Sequence, residues 1–197
     1  MPTQSLVEAG DEPAPEPIDR QLLVLGGVLL VGAMAALLDT TMVSVAIADM
    51  AAAFDAPVAR VQWVSAAYLL SMAVAIPAMG WLVDCFGARR VWLGALWTFL
   101  VGSVLCGAAW SLESLVAFRV VKGLGAGLVL PLVQAVLAEA AGPRRFGRVM
   151  ALVGIPGQLA PVLGPVIGGF VLSSVGWRWI FLGNVPVVAL ALALARR

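Results

Sequence analysis

The sequence contains no histidine, and only 12% of its 197 residues are charged. The absence of histidine excludes a histidine metal site, a histidine base and the serine and histidine pair of an intramembrane protease. The two cysteines, Cys85 and Cys106, share no loop, so the sequence predicts no disulfide bond. We expect no catalytic residue, metal site or cofactor, and the sequence indicates neither an enzyme nor a nucleic-acid-binding protein.

A nucleotide-binding motif and a secretory signal are also missing. The run GLGAG at 123–127 lacks the GK[ST] sequence of a phosphate-binding loop and lies within an apolar stretch. The first 21 residues are acidic and rich in proline, without the basic start and small-residue cleavage site of a signal peptide. We expect residues 1–21 to form a disordered cytoplasmic tail.

Apolar residues dominate the rest of the chain, with 62% hydrophobic residues and a mean hydropathy of +1.03. A bilayer core of about 30 Å needs roughly 20 apolar residues per helix, and six stretches approach that length. They cover residues 22–48, 61–83, 91–112, 114–138, 149–176 and 179–195. The sequence therefore predicts an all-α membrane protein with six transmembrane helices in residues 22–195, joined by loops too short to form a soluble domain.

Arginine is distributed unevenly over the predicted loops. Counted alternately, seven arginines lie on one side of the membrane and two, Arg60 and Arg178, on the other. The seven are Arg89, Arg90, Arg144, Arg145, Arg148, Arg196 and Arg197. Loops rich in Lys and Arg stay on the cytoplasmic side of a membrane. We therefore expect a multi-pass protein of the plasma membrane, which is the cell inner membrane. Both termini, including residues 196–197, are expected in the cytoplasm.

Three ionisable side chains fall inside the predicted spans. Asp39 lies about 26 Å from the cytoplasmic face, and Arg119 enters the fourth span from the other side at a similar depth. Lys122 follows one turn further along. Because a charge at the hydrocarbon centre costs about 2.5–3.5 kcal/mol, we expect these groups to face protein or water and to contact one another. They form either a structural ion pair or a functional site, whereas Glu139 at the end of the fourth span is explained by solvation alone.

Four motifs follow one another along the predicted helices: LDTTMVSVAIADM, GWLVDCFGARRV, RVVKGLGAGLVLP and APVLGPVIGGFV. In order and spacing they resemble the signature motifs of the major facilitator superfamily, in particular its multidrug proton-antiporter branch with fourteen helices. The run WRWIFLGNVP resembles the same branch. The resemblance covers residues 38–186 and implies two six-helix lobes around a central cavity, each built from inverted three-helix repeats, with this chain as the N-terminal lobe.

The second motif lies between the second and third spans, and the resemblance makes it a cytoplasmic gating motif. Gly80 leaves room for an approaching helix, Asp84 ends the second span and Gly87 allows a tight turn before Arg89 and Arg90. In the family such a motif implies a latch that pairs with the opposite lobe and holds the outward-facing state. The alternative is that the two arginines act only as a topology signal.

The fifth predicted span is rich in proline and glycine. Proline removes helix hydrogen bonds and glycine allows backbones to approach, so we expect a bent helix packed closely against a neighbour. The resemblance makes its GPVIGG core the antiporter motif, which separates export from uptake. The motif residues are Pro161, Gly164, Pro165, Gly168 and Gly169.

The resemblance implies proton-coupled efflux of small amphipathic or drug-like compounds, with Asp39 exchanging the proton and Arg119 and Lys122 tuning it. Burial favours the neutral acid, whereas the two cations favour the carboxylate. Five side chains are cavity candidates, although plain packing also explains them: Met34, Met42, Trp63, Tyr68 and Met72.

The partners we expect are a small-molecule substrate, protons, the lipid bilayer, and either a second lobe or another copy of the chain. The chain stops at Arg197, where the family continues into a linker or further helices. The alternative to a transporter is therefore a truncated membrane assembly unit that does not transport.

Overall fold

The computed structural model describes residues 19–195, and within this range every regular element is an α-helix. The helices are α1 Arg20–Val45, α2 Ile47–Ala53, α3 Val58–Val61, α4 Trp63–Phe86, α5 Ala88–Gly107, α6 Leu112–Gly157, α7 Ala160–Val175, α8 Arg178–Leu182 and α9 Asn184–Ala195. Arg20 and Gln21, predicted to belong to the tail, are the first residues of α1. The rest of that tail and residues 196–197 lie outside the described range.

Five helical segments are long and apolar enough to cross a membrane. The fourth, Leu112–Val175, has 64 residues, and a straight helix of that size would be about 96 Å long, about three times a bilayer core. The helix is interrupted at Gly142, whose φ is 67° and ψ 169°. Leu137 and Val153, on either side of this break, both lie beside Gly26 of α1, so the chain turns back at Gly142. The described residues therefore form six passes.

Single glycines make three of the connections between passes. Gly87, Gly142 and Gly176 have φ values of 81°, 67° and 90° together with extended ψ values. Side chains are essentially excluded from this backbone region, so glycine allows a helix to end and the next one to begin within one or two residues. These turns explain how long apolar helices follow one another with almost no loop.

The passes alternate between two ends of the bundle. At one end, which we call the arginine-rich end, Arg20, Arg89 and Glu139 border the same cavity at the ends of α1, α5 and the first part of α6. At the opposite end, the Nη2 atom of Arg60 donates a hydrogen bond to Oε1 of Glu113 at 2.7 Å. The alternation of passes predicted from sequence is therefore present in the bundle.

The first part of α6 packs against both α4 and α5 through glycines. A Cβ atom at Gly125 would lie 2.7 Å from the backbone nitrogen of Phe99 on α5. A Cβ atom at Gly127 would lie 2.6 Å from the carbonyl oxygen of Met72 on α4, and Gly123 leaves similarly little space beside the hydroxyl of Ser71. In lipid, helices associate mainly through such close packing, so these glycines bring three passes together.

Prolines divide the fifth and sixth passes. The fifth is interrupted between Gly157 and Ala160, and the sixth is interrupted at Gly183. Pro156 and Pro161 flank the first break, and Pro186 follows the second by three residues. Because proline has no N–H and its ring crowds the carbonyl four residues earlier, both breaks follow from the sequence.

We predict that Gly142→Ala lowers thermal stability, because alanine is strained at this positive φ by about 1–3 kcal/mol. Gly147→Ala is the matched control on the same helix, where an added methyl group meets nothing within 4 Å. The control is expected to be neutral or stabilising by up to about 1 kcal/mol. Thermal unfolding followed by circular dichroism in detergent measures both variants, and equal melting temperatures would contradict the tight turn at Gly142.

Candidate functional site

The centre of the lobe holds a buried carboxylate with three hydrogen-bond donors. Oδ2 of Asp39 on α1 accepts a hydrogen bond from Nη1 of Arg119 at 2.5 Å. Oδ1 accepts one from Nζ of Lys122 at 2.6 Å and one from Nδ2 of Asn184 at 2.9 Å. None of the four residues is more than 4% exposed. We call Asp39, Arg119, Lys122 and Asn184 the Asp39 cluster.

The positions of these side chains follow from the helices that carry them. Arg119 and Lys122 are three residues apart on α6, so they lie one turn apart on the same helix face. A Cβ atom at Gly102 of α5 would lie 2.7 Å from the Lys122 Cα, so this glycine allows α5 to close against the cluster. Asn184 is the first residue of α9, directly after the break at Gly183.

Aromatic rings cover both cations. The guanidinium carbon of Arg119 lies 3.9 Å from the centre of the Tyr68 ring. The ammonium of Lys122 lies 4.7 Å from the centre of the Phe99 ring and 5.1 Å from that of Phe181. A ring face attracts a cation most strongly where water is excluded, so these three rings replace part of the lost hydration.

Arg119 also reaches the backbone of a fourth element. Its Nε atom donates a hydrogen bond to the carbonyl oxygen of Val64 on α4 at 2.9 Å. The hydroxyl of Tyr68 on the same helix donates to the carbonyl oxygen of Ala36 on α1 at 3.4 Å. The cluster therefore connects α1, α4, α6 and α9 through polar contacts that lipid cannot replace.

The charges in the cluster do not balance. It contains one carboxylate and two cations, so its formal net charge is +1 when all three groups are ionised. Within residues 19–195, the one buried side-chain nitrogen or oxygen without a hydrogen-bond partner is Nε1 of Trp92, which is outside the cluster. None of the cluster's buried side-chain nitrogen and oxygen atoms is therefore without a hydrogen-bond partner, as buried charges require.

The three ionisable residues predicted inside the membrane are brought together as expected from their depth. Glu139, at the end of the fourth predicted span, is instead exposed at the arginine-rich end beside Arg20 and Arg89. It therefore takes no part in the Asp39 cluster.

The residues of the predicted gating motif lie together at the turn between α4 and α5. Gly87 makes the turn, and Asp84, Arg89 and Arg90 are exposed around it. A Cβ atom at Gly80 would meet nothing within 4 Å. The helix contact predicted for Gly80 is therefore not made by any residue of the described part of the chain, because the face on which it lies is open.

The predicted antiporter motif places two of its glycines against α1. Gly164 and Gly168, four residues apart, lie on one face of α7. A Cβ atom at Gly164 would overlap the hydroxyl of Thr41, and one at Gly168 would lie 3.2 Å from the Cα of Met42. Thr41 and Met42 follow Asp39 by two and three residues, so α7 supports α1 directly beside the cluster. The other motif residues are exposed or half-buried: Pro161, Pro165 and Gly169.

The predicted cavity side chains have different environments. Tyr68 and Met42 are buried inside the lobe, so in this structure they pack against helices and do not line an open cavity. Met34 and Met72 are half-buried, and Trp63 is 58% exposed. Their orientation about the helix axis could not be obtained from sequence, because membrane helices are apolar on all sides.

Asn184 belongs to the site although its role was not predicted from sequence. It lies within the run WRWIFLGNVP and is the one amide side chain in residues 179–195. A neutral amide in a membrane span, placed between Gly183 and Pro186, was the available signal, because polar side chains in lipid seek hydrogen-bond partners.

Six passes packed through glycines, with broken helices and a buried charge cluster, form a six-helix lobe of the kind from which transporter folds are built. The profile of the Major Facilitator Superfamily matches residues 29–197. The chain belongs to the major facilitator superfamily and is a multi-pass membrane protein.

Its relatives include proteins named for multidrug resistance. The chain is 45% identical over 187 residues to the multidrug resistance protein B homolog of Mycobacterium tuberculosis (strain ATCC 25618 / H37Rv), covering 95% of this chain and 35% of that protein. It is 39% identical over 150 residues to the multidrug resistance protein MdtD of Serratia proteamaculans (strain 568), covering 76% of this chain and 31% of that protein. The chain thus spans about a third of the length of these curated relatives.

Solved structures share the fold. The proton:xylose symporter XylE bound to 6-bromo-6-deoxy-D-glucose aligns with a TM-score of 0.75 at 19% identity, covering 89% of this chain and 44% of that one. The human organic anion transporter MFSD10 aligns with a TM-score of 0.67 at 18% identity, covering 90% of this chain and 47% of that one. These alignments show that the described helices form one lobe of a major facilitator fold.

We predict that Gly164→Leu separates α7 from α1 and lowers the thermal stability of the chain by about 1–3 kcal/mol, because overpacking forces the helices apart. Gly169→Leu is the matched control, since a Cβ atom there meets nothing within 4 Å. Both changes preserve apolarity, so both variants should insert into the membrane. Thermal unfolding in detergent measures the difference, and equal stability of the two variants would refute the close α1–α7 contact.

Proposed function

We propose that this chain is the N-terminal lobe of a proton-coupled antiporter that exports small amphipathic or drug-like compounds across the plasma membrane. The observation that carries the proposal is the fully buried Asp39 carboxylate between Arg119 and Lys122. The multidrug resistance names of the relatives support the compound class. A buried carboxylate whose neighbours compete over its charge is the kind of group that can exchange a proton during a transport cycle.

The geometry suggests how a proton would act on the helices. When Asp39 is ionised, it joins α1 to two cations on α6. Protonation removes the negative charge and leaves Arg119 and Lys122 as neighbouring cations in a site of low dielectric constant. Their repulsion and loss of a partner weaken the contact between α1 and α6, so protonation favours a different arrangement of these helices. Substrate entry and protonation would then compete, because opening the site to either side changes the balance between burial and charge.

A central cavity requires a second six-helix body, which would be a second lobe or another copy of this chain. The alternative function, a membrane assembly unit without transport, needs no such cavity. Gel filtration in detergent together with transport in vesicles distinguishes the two: an efflux-competent particle supports the antiporter, whereas an inactive assembled particle supports the alternative.

We predict that Asp39→Asn in the full-length protein stops proton-driven efflux while sparing part of substrate binding, because asparagine keeps the shape but cannot ionise. Arg119→Leu is expected to shift the pH dependence of transport upward by about one unit, since loss of a cation favours the neutral acid. Drug efflux from vesicles, measured against pH for each variant, checks both results.

The exposed ion pair between Arg60 and Glu113 provides a control for the Asp39 and Arg119 variants. Its side chains are 63% and 70% exposed, so Glu113→Gln should leave both the melting temperature and the pH profile of transport unchanged. A purely structural role of the cluster predicts instead that each single change destabilises the chain, and that replacing all three charges together, Asp39→Asn with Arg119→Leu and Lys122→Leu, recovers stability. Recovery of proton-coupled transport in that triple variant would show that Asp39 does not carry the proton.

We predict that the arginine-rich end is cytoplasmic, from the seven-to-two arginine distribution. Cys85 is exposed at this end and Cys106 is buried, so this chain already offers one accessible thiol. An impermeant maleimide should leave Cys85 unlabelled in intact cells and should label it once the cells are permeabilised. Ala59→Cys in a Cys85→Ser background, at the opposite end, should be labelled without permeabilisation. The reverse pattern would invert the topology.

A further inference from the structure

Within residues 19–195, Asn184 is the one neutral side chain that forms a hydrogen bond with the Asp39 carboxylate. Its Nδ2 atom lies 2.9 Å from Oδ1, the same oxygen that accepts the hydrogen bond of Lys122. Nδ2 is also 3.5 Å from the carbonyl oxygen of Ile180, one turn earlier. Asn184 is 4% exposed, so water has little access to its amide.

The three partners of Asp39 differ in what they can offer after protonation. An ionised carboxylate only accepts hydrogen bonds, whereas the protonated acid also has an O–H group that must donate one. Arginine and lysine carry donors and no acceptor, so neither can receive that hydrogen bond. Among the side chains bonded to Asp39 within residues 19–195, Asn184 alone has both an N–H and a C=O group.

We propose that Asn184 is a positioning residue of the proton-exchange site, an inference that rests on the function proposed above. Its amide donates an N–H to ionised Asp39 and, after turning about the bond to the amide carbon, accepts the O–H of protonated Asp39 through its C=O. The carboxyl group then has a buried hydrogen-bond partner in both protonation states. Placement at the first residue of α9, after the break at Gly183, holds the amide at this position.

This role predicts a shift of definite sign. Without the amide, the carboxylate keeps two charged donors, Arg119 and Lys122, but the protonated acid loses the one acceptor among the side chains bonded to it. A buried donor without an acceptor bears its full desolvation penalty, so loss of the amide destabilises the protonated carboxyl more than the carboxylate. Asn184→Leu should therefore lower the pH at which Asp39 takes up its proton. A residue that served only as a third donor to the carboxylate would produce the opposite shift when removed.

The other charged and titratable groups near Asp39 do not account for this shift in the pH of proton uptake. Arg119 and Lys122 face it from α6, Tyr68 from α4, and Cys106 on α5 is close enough to interact electrostatically. The described residues of α7, α8 and α9 contribute no titratable group to the cluster, since Arg178 lies at the opposite end against Ala109. All of these groups are unchanged in the Asn184 variants.

The test is an infrared titration of the protonated carboxyl band in this chain, reconstituted in nanodiscs, with the band assigned to Asp39 by its loss in Asp39→Asn. Asn184→Leu, of similar size, should shift the midpoint down by about one pH unit, a tenfold weakening of proton binding. Asn184→Gln, which keeps the amide, should restore most of it. Ser103→Ala is the matched control, because buried Ser103 bonds only to its own helix.

Each result decides between the possibilities. A downward shift in the leucine variant, with recovery in the glutamine variant, supports the role; an unchanged or raised midpoint overturns it. If Asn184→Leu fails to fold, Asn184→Ala is titrated instead and the same signs apply. An Asp39 band that is absent throughout the titration of the wild-type chain overturns the proton-exchange function itself, whereas a normal Asp39 titration with no effect of Asn184 overturns only this inference.

Discussion

The burial of one carboxylate with two cations is the constraint on which the rest of the lobe depends. Asp39 has no solvent exposure, and its oxygens hold Arg119 and Lys122 at hydrogen-bond distance. Breaking such a pair by removing one partner costs about 3–5 kcal/mol, because it leaves a charge uncompensated in a dry site. Arg119 further bonds the backbone at Val64, and Lys122 faces the ring of Phe99. The relative positions of the helices that carry these groups are therefore linked to the ionisation of a single residue.

Glycine packing is what permits this arrangement. Aspartate has a short side chain, so its carboxylate meets cations on another helix only if the surrounding backbones come close. Gly102 admits the backbone of Lys122, Gly123 admits α4, and Gly164 admits α1 beside the cluster. In lipid, where apolar surfaces gain little by contacting one another, such small residues supply the attraction between helices through van der Waals contact. The ion pairs of the polar cluster therefore depend on the close helix packing that the glycines around it allow.

Much of this architecture could be predicted from the sequence, for reasons that can be stated. Charge-free runs predict the passes because lipid excludes charge, and depth along the helices predicts that Asp39 and Arg119 meet. Asn184 was not predicted, because a neutral amide gives a weaker signal than a charge and its position depends on a helix break. The environments of Tyr68 and Met42 were not predicted either, since rotation about the helix axis leaves no trace in a uniformly apolar sequence.

Under the proposed function, the helix breaks would allow one part of a pass to move relative to the other. Thr41, one half-turn after Asp39, lies against Gly164 of α7, so a displacement of α1 caused by protonation would act directly on α7. The interruption between Gly157 and Ala160 separates α7 from the second part of α6. Because a helix break absorbs backbone rotation that a continuous helix would resist, α7 could follow α1 while the arginine-rich half of the same pass remains in place. Under the proposed function, the proline-rich fifth pass would convert a change of charge at Asp39 into movement at one end of the lobe.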